Sequence, residues 1–190
     1  IDDSLMGVTH VLRGEDHLTN TPRQIMILDS LCLNIPTCGN IELIVAPCGT
    51  PLSKRSGSRG IGELREQGYL ADAIVNYLAR LGHYYQNDAF MSLDELAEQF
   101  KIASLAKAPA KFNASQLDYW QKQAVEHLAD DALWQWLGAE LKAKIPEQKH
   151  TLFVETIKPN IQFPQDAEYW VHVCIHEAVP LDEKHSAILQ

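Results

Sequence analysis

The stretch His10–Gln24, HVLRGEDHLTNTPRQ, joins a short apolar run to a helix start through a highly charged turn. The β-branched and apolar residues Val8–Leu12 predict a buried strand. Thr21 as the N-cap, Pro22 at the first helical position and Gln24 in a capping box predict the start of a helix. A strand, a charged turn and a helix are therefore expected in succession.

A second strand is predicted over Ile41–Ala46, an apolar run that ends before Pro47. Strand, helix and strand in this order form a right-handed βαβ unit with parallel strands. Ligands bind such sheets outside the carboxyl ends of the strands, where Arg13–His17 and the loop Cys48–Gly60 are expected. Only helical patterns follow Gly60, so the coarse prediction is half of an α/β domain followed by a helical region.

The helical patterns after Gly60 are bounded by glycines, prolines and capping boxes. Helices are predicted over Ile61–Gln67, Ala71–Leu81, Ser92–Phe100, from Asn113 onward, Asp131–Lys144, Glu147–Lys158 and Asp166–Ala178. The tryptophans recur at positions typical of helix cores, with base stacking as the alternative; they are Trp120, Trp134, Trp136 and Trp170.

The composition of the 190-residue chain restricts its class. No apolar run approaches the roughly 18–20 residues of a membrane span. Its four cysteines form no C-x-x-C pair, which favours reduced thiols in the cytoplasm. A net charge of −9 argues against a wholly basic nucleic-acid binder. Cations are nevertheless concentrated in residues 51–65, where a polyanion could bind locally; they are Lys54, Arg55, Arg59 and Arg65.

Three polar features each allow a functional and a structural interpretation. The loop Gly49–Ser58 has adjacent cations, hydroxyls and glycines, which suit either a phosphate clamp or a solvated loop. Arg13–His17 is either a binding site or a surface turn whose acids pair with Arg23. His172 and His176 lie four residues apart on a predicted helix, but the H-E-x-x-H zinc pattern is absent and a structural role is favoured.

Several segments, in this order and spacing, resemble bacterial glutamyl-tRNA synthetase, a family of class I aminoacyl-tRNA synthetases. They are HVLRGEDHLTNTPRQ, LSKRSGS, REQGYLADAIVNYLARLG, FMSLDELAEQF and KFNASQLDYWQ. The resemblance covers roughly residues 1–128 and implies the second half of a Rossmann-type nucleotide-binding domain followed by an all-helical region. It implies a catalytic part over residues 1–60, a stem-contact domain over 61–112 and the start of an anticodon-binding domain over 113–190.

The resemblance also implies roles for individual residues. Lys54 matches the lysine that binds ATP phosphates and stabilises the activation transition state. The implied ATP-binding residues are Asp16, Ile44, Ser53, Lys54 and Arg55. The implied glutamate-binding residues are Arg13, Gly14, Glu15, Asp16 and His17. The residues expected to bind tRNA are Arg59, Arg65, Lys107 and Lys111. ATP with Mg²⁺ is the expected cofactor, and no metal site within the chain is expected.

The implied reaction is activation of L-glutamate by ATP and its transfer to the tRNA for glutamate, by a cytoplasmic monomer without membrane contact. Pro51 stands where the family usually has the first lysine of the K-[LM]-S-K-[RS] motif. The H-I-G-H motif is absent, so this carboxyl-side portion is expected to be inactive alone. The alternatives are a non-catalytic tRNA-binding remnant and a tRNA-modifying paralogue that activates glutamate.

Overall fold

The computed structural model describes residues 1–50, 52 and 60–175. These residues fold as two compact units. The first unit draws on Ile1–Ser58 and Leu78–Asn113, and the second draws on Arg59–Tyr77 and Ala114–Gln190. Each unit therefore combines two separate stretches of the chain. No helix in the described ranges is both long enough and apolar enough to cross a membrane.

The first unit contains the βαβ arrangement that the sequence predicts. It begins with α1 (Asp2–Leu5), β1 (His10–Gly14), a 3-10 helix (Glu15–Asn20), α2 (Thr21–Ser30) and β2 (Thr37–Ile41). Strands β1 and β2 are parallel neighbours, and their register places Gly14 opposite Ile41. The carboxyl ends of both strands consequently lie at one edge of the sheet.

The predicted strand bounds are wrong in two places. β1 begins at His10 rather than Val8, and the strand that pairs with it is Thr37–Ile41 rather than Ile41–Ala46. Within the apolar run, Ile41 is the last residue of β2, and β3 (Ile44–Val45) is a separate strand that pairs in parallel with β4 (Ala110–Lys111) instead of with β1. Burial and pairing, rather than the apolar character of the residues alone, decide which segment joins the sheet.

The predicted N-cap is also wrong by one residue. Thr21 is the first residue of α2, and Asn20 occupies the N-cap without a side-chain capping hydrogen bond. The Thr21 hydroxyl does not cap the helix because it accepts a hydrogen bond from Arg13 and donates one to the His17 carbonyl.

The rest of the first unit includes α5 (Leu93–Gln99), which begins as predicted with a capping box. The Glu95 backbone N–H donates to the Ser92 hydroxyl at 3.3 Å, and the Ser92 N–H donates to the Glu95 carboxylate at 2.8 Å. The Ser92 hydroxyl also donates to the Glu95 carboxylate at 2.8 Å, and the two hydrogen bonds that this carboxylate accepts, from the Ser92 backbone and side chain, hold the pKa of Glu95 below its ordinary value. Met91 and Leu96 are buried beside this helix start, so the cap and the core fix the same turn.

The second unit is helical, which agrees with the helical region predicted after Gly60; the exception to that prediction is β4, which also follows Gly60 and belongs to the first unit. The helices of the second unit are α3 (Ile61–Glu66), the first part of α4 (Ala71–Leu81), α6 (Ala114–His127), α7 (Asp130–Leu137), α8 (Ala139–Ala143), α9 (His150–Ile157) and α10 (Pro164–Ile175). Short 3-10 helices cover Glu147–Lys149 and Lys158–Asn160. Trp120 and Trp134 are buried, as the helix-core interpretation predicts.

Two predicted helices of the second unit differ from the structure. The single helix predicted over Asp131–Lys144 is divided at Gly138, whose φ of 90° and ψ of 155° are not helical. The segment Glu147–Lys158 starts with a 3-10 turn, and its α-helix begins at His150. The core between these helices includes the fully buried Leu133, Ile157 and Ala167.

Candidate active site

The polar residues that follow β1 lie at the carboxyl edge of the two-stranded sheet. Arg13 and Gly14 end β1, and Glu15, Asp16 and His17 form the first turn of the following 3-10 helix. The Asn40 side-chain amide, on β2, donates a hydrogen bond to the Gly14 carbonyl at 3.2 Å. This bond ties the ends of the two strands together and fixes the position from which the charged turn departs.

Arg13 is the half-buried cation of this edge. Its Nη2 donates a hydrogen bond to the Thr21 hydroxyl at 2.6 Å, and its Nε is buried with no acceptor among the described residues. Within that part of the chain, Arg13 forms no ion pair, and none joins Glu15 or Asp16 to Arg23. The surface-turn interpretation, which relied on pairing with Arg23, is therefore not supported by the described contacts.

A cavity of about 290 Å³ opens beside Arg13. Its polar lining includes Arg13, Gln24 and Asp3, and its walls are mainly apolar. The apolar lining comes from α2, from β1 and from the segment that enters β2; it includes Val11, Ile25, Leu28, Ile35 and Pro36. An arginine in such a cavity suits a small ligand that carries a carboxylate, because the planar guanidinium binds two carboxylate oxygens at once.

Asp16 folds back over the end of β1. A methyl group added at Gly14 would lie 2.5 Å from Asp16 Oδ1 and 3.2 Å from Leu43 Cδ2. The Asp16 Oδ2 atom lies 3.6 Å from His17 Nε2, but both side chains are more than half exposed, so this pair is weak. The Asp16 carboxylate thus lies at the sheet edge, in space that a side chain at position 14 would occupy.

Two carboxylates meet where β1 and β2 end. A side-chain hydrogen bond between Glu42 and Glu15 raises the pKa of the Glu42 carboxyl, and slight desolvation and repulsion by Glu15 raise it further. Glu42 follows β2 directly, as Glu15 follows β1. The carboxyl edge is therefore acidic around Glu15 and Glu42 and basic at Arg13.

A tight turn follows β3 and leads toward the predicted ATP loop. The Ala46 N–H donates to the Thr50 carbonyl at 2.7 Å, and Gly49 adopts a φ of +86° that favours glycine. Hydrogen bonds from the Thr50 hydroxyl and backbone lower the pKa of the exposed Cys48 thiol. The loop residues for which the sequence predicts ATP or tRNA binding lie outside the described residues; they are Ser53, Lys54, Arg55 and Arg59, with Pro51 beside them.

The other predicted site residues are distributed over both units. Ile44 lies on β3 and is 37% exposed. Lys107 and Lys111 are exposed in the first unit, and Arg65 is exposed in the second. No cluster of three metal-ligating side chains occurs among the described residues. His172 lies on α10, and its predicted companion His176 is outside the described range.

Three residues around the carboxyl edge are absent from the site that the sequence predicts. Thr21 is predicted to cap a helix, whereas Asn40 and Glu42 belong to no recognisable motif. The placement of Asn40 and Glu42 follows from the register of β1 and β2, which the apolar pattern does not reveal. Had the sequence indicated a strand over Thr37–Ile41, Asn40 and Glu42 would both have been expected at the carboxyl edge.

Comparison with known proteins adds to this geometry. A family model described as tRNA synthetases class I (E and Q), catalytic domain, matches residues 1–119. Glutamate–tRNA ligase 2 from Coxiella burnetii is 60% identical over 190 residues, which are 100% of this chain and 41% of that protein. Glutamate–tRNA ligase 2 from Nitrosococcus oceani is 51% identical over 183 residues, which are 96% of this chain and 39% of that protein.

A solved structure shares the fold. The crystal structure of a glutamate tRNA ligase from Elizabethkingia meningosepticum, in complex with its amino acid, matches with a TM-score of 0.81 at 24% identity. The match covers 98% of this chain and 42% of that one. The chain thus spans about 41% of the length of the Coxiella burnetii relative and a similar share of the solved structure.

Proposed function

Because this chain belongs to the class I tRNA synthetases for glutamate and glutamine, matched over residues 1–119, we propose that it forms part of a glutamate–tRNA ligase. The names of relatives up to 60% identical favour glutamate over glutamine. The observation that carries the proposal is Arg13, a half-buried arginine without a carboxylate partner among the described residues, at the carboxyl end of β1 beside a cavity.

The proposed reaction has two steps. A carboxylate oxygen of L-glutamate attacks the α-phosphate of ATP, so that pyrophosphate leaves and glutamyl-adenylate forms. A hydroxyl of the terminal adenosine of tRNA then attacks the activated carbonyl carbon, and AMP leaves. Neither step forms a covalent bond between substrate and protein. Both steps therefore depend on positioning the reactants and on stabilising the negative charge of the phosphates.

The proposed roles follow the arrangement of the sheet edge. Arg13 pairs with a carboxylate of glutamate, and we assign the turn from Gly14 through Glu15 and Asp16 to His17 to the same glutamate site. This turn follows β1 directly, although the lining of the cavity beside Arg13 does not include it. Asp16 and Ile44 contact ATP, which brings Mg²⁺ with its phosphates. In the loop that follows β3, we assign the phosphate contacts to Ser53, Lys54 and Arg55, with Lys54 stabilising the transition state.

The tRNA contacts belong to the same proposal. Exposed cations from several segments would meet its phosphates; they are Arg59, Arg65, Lys107 and Lys111. Residues 61–112 are proposed as the stem-contact domain and residues 113–190 as the start of the anticodon-binding domain. A monomer in the cytoplasm is the assembly and location that this proposal implies.

The test is glutamate-dependent exchange of pyrophosphate into ATP, with tRNA present, by a full-length ligase that carries this sequence. Lys54→Ala should lower the activation rate roughly 10²–10³-fold, the cost of losing one preformed charge stabiliser. Lys149→Ala, an exposed lysine of the second unit, is the matched control and should leave the rate unchanged. A full-length protein that binds tRNA but catalyses no exchange would instead be the non-catalytic remnant.

A further inference from the structure

We propose that Thr21 is a positioning residue that holds the Arg13 guanidinium for the substrate carboxylate, an inference that rests on the proposed ligase function. The Thr21 hydroxyl lies 2.6 Å from Arg13 Nη2 and 3.3 Å from the His17 carbonyl oxygen. It accepts from the first group and donates to the second. One hydroxyl therefore links the end of β1, the charged turn and the first residue of α2.

This link fixes the orientation of the Arg13 guanidinium at the end of a half-buried side chain. An arginine side chain loses rotamer entropy when it is fixed, and a hydrogen bond from a charged donor offsets part of that cost. Thr21 is itself fixed, since it begins α2 and donates to the backbone of the preceding turn. The guanidinium is thus oriented before a ligand arrives, which increases affinity by reducing the ordering that binding requires.

The neutrality of Thr21 is the second part of the inference. A carboxylate at this position would neutralise Arg13 and compete with the substrate, whereas a hydroxyl leaves its positive charge available. The buried Nε–H, which has no acceptor among the described residues, provides a further donor beside the cavity. A buried donor without an acceptor is costly, and a substrate carboxylate that accepts this hydrogen bond removes the cost.

The experiment compares Thr21 variants in a full-length ligase that carries this sequence. Thr21→Val keeps the shape but removes the hydroxyl, and should raise KM for glutamate about 10- to 100-fold, the loss of one hydrogen bond to a charged group. KM for ATP should change less than about twofold, because the nucleotide contacts remain. Thr21→Ser keeps the hydroxyl and should retain most of the affinity. Thr19→Val, the same change at an exposed position of the turn, is the control.

A double-mutant cycle separates positioning from general stability. If Thr21 acts through Arg13, adding Thr21→Val to Arg13→Ala should raise KM for glutamate no further. The positioning role would be overturned if the effects of the two substitutions on KM for glutamate were additive. It would also be overturned if Thr21→Val raised KM for glutamate and KM for ATP equally, or if Thr21→Ser were as impaired as Thr21→Val. Thr21→Ala is a second variant to be used should valine prevent folding. Absence of exchange in the unmutated enzyme would overturn the ligase proposal itself, so the two failures are distinguishable.

Discussion

At Gly14 the backbone of β1 lies against the carboxylate of Asp16. The glycine has ordinary extended dihedral angles, with φ −61° and ψ 152°, so its backbone does not require glycine. An added methyl group would lie 2.5 Å from Asp16 Oδ1, so the exposed Asp16 side chain would have to move. The absence of a side chain at Gly14 thus permits the observed position of the Asp16 carboxylate.

Gly14→Ala should therefore displace Asp16 and weaken the proposed ATP contact. We expect a severalfold rise in KM for ATP, roughly the loss of one polar contact of about 1 kcal/mol. Exchange kinetics at varied ATP concentration measure this effect. Gly62→Ala is the control, because its added methyl group meets no atom within 4 Å. If Asp16 mediates the effect, Gly14→Ala should add nothing in the Asp16→Ala background, and additive effects would contradict this.

The sequence predicts the location of Arg13 but not its hydrogen-bond partner. The position of Arg13 after an apolar run indicated the end of a strand, and a strand of a parallel sheet ends where ligands bind. The partner of Arg13 could not be predicted, because Thr21 has an equally good local use as a helix cap. The fold of the turn between Arg13 and Thr21 determines which of these two roles the Thr21 hydroxyl has, and in the structure it accepts the hydrogen bond from Arg13.

At the scale of elements, the carboxyl ends of β1 and β2 bring Glu15 and Glu42 together. The hydrogen bond to Glu15 raises the pKa of Glu42 in the folded protein. A raised carboxyl pKa favours folding below the unfolded pKa, and this contribution is lost as the pH rises through the folded pKa. Once Glu42 has lost its proton, its repulsion by Glu15 consequently opposes the approach of the two strand ends.

Glu42→Gln should raise the midpoint of thermal unfolding at pH 7, since glutamine donates to Glu15 without adding charge. The difference from the unmutated protein should shrink as the pH falls into the range where Glu42 takes up its proton. Thermal unfolding followed by circular dichroism at several pH values tests both statements. Glu98→Gln, an exposed glutamate of the same unit, serves as the control. A stabilisation that stays constant with pH would exclude the Glu15–Glu42 interaction as its cause.

Elements with strong local signals were predictable, and the others were not. The helix Ala71–Leu81 has the predicted bounds, and Ser92 caps its helix as predicted. β2 was missed because Thr37–Ile41 contains a glycine and an asparagine, residues that are rare in strands. Its pairing with β1 joins residues that are 27 positions apart in the chain, which local patterns do not report.

At the scale of the whole molecule, buried hydrogen bonds join the separate stretches of the second unit. Gln121 is fully buried, and its Oε1 accepts from the Leu70 N–H at 2.9 Å. Its Nε2 donates to the Gly68 carbonyl at 3.3 Å and to the Gln162 carbonyl at 2.9 Å. Trp136 also donates to the Gly68 carbonyl, at 2.9 Å. The turn after α3 is therefore fixed by residues more than 50 positions later in the chain.

Gln121→Leu should destabilise the second unit by roughly 2–3 kcal/mol, because buried backbone groups lose their partners. All four tryptophans lie between residues 120 and 170, so their fluorescence during urea unfolding reports on this unit. Gln116→Leu, at an exposed position of the same helix, is the control. An unchanged urea midpoint in the Gln121 variant would show that the remaining contacts suffice to hold the turn.

The division of the chain was the feature that sequence patterns could least predict. The family resemblance implies consecutive domains at 1–60, 61–112 and 113–190, a division that stays a prediction. The two compact units of the structure interleave along the chain, since residues 59–77 belong with those after Asn113. Only contacts such as that between Gln121 and Leu70 reveal this arrangement, and no local pattern encodes them.

The proposed function requires binding of a polyanion, whereas this chain has a net charge of −9. Residues 101–111 offer a local solution, because they carry three lysines and no carboxylate. Lys101, Lys107 and Lys111 are all exposed in the first unit. A segment with this charge attracts phosphates at short range, while salt screens the repulsion by more distant carboxylates.

Lys107→Glu combined with Lys111→Glu should therefore weaken binding of the tRNA for glutamate by a full-length ligase. Lysines that neutralise phosphates release counterions, so the logarithm of affinity should fall linearly with the logarithm of salt concentration. The slope should become shallower by about one for each phosphate that the variant no longer neutralises. Filter binding across a salt series measures both quantities. Lys144→Glu with Lys149→Glu makes the same change in net charge on the second unit. If this control pair weakened binding equally, net charge rather than the 101–111 segment would account for the effect. If the Lys107 and Lys111 substitutions left the binding curve unchanged, these lysines would be part of a solvated surface that does not contact tRNA.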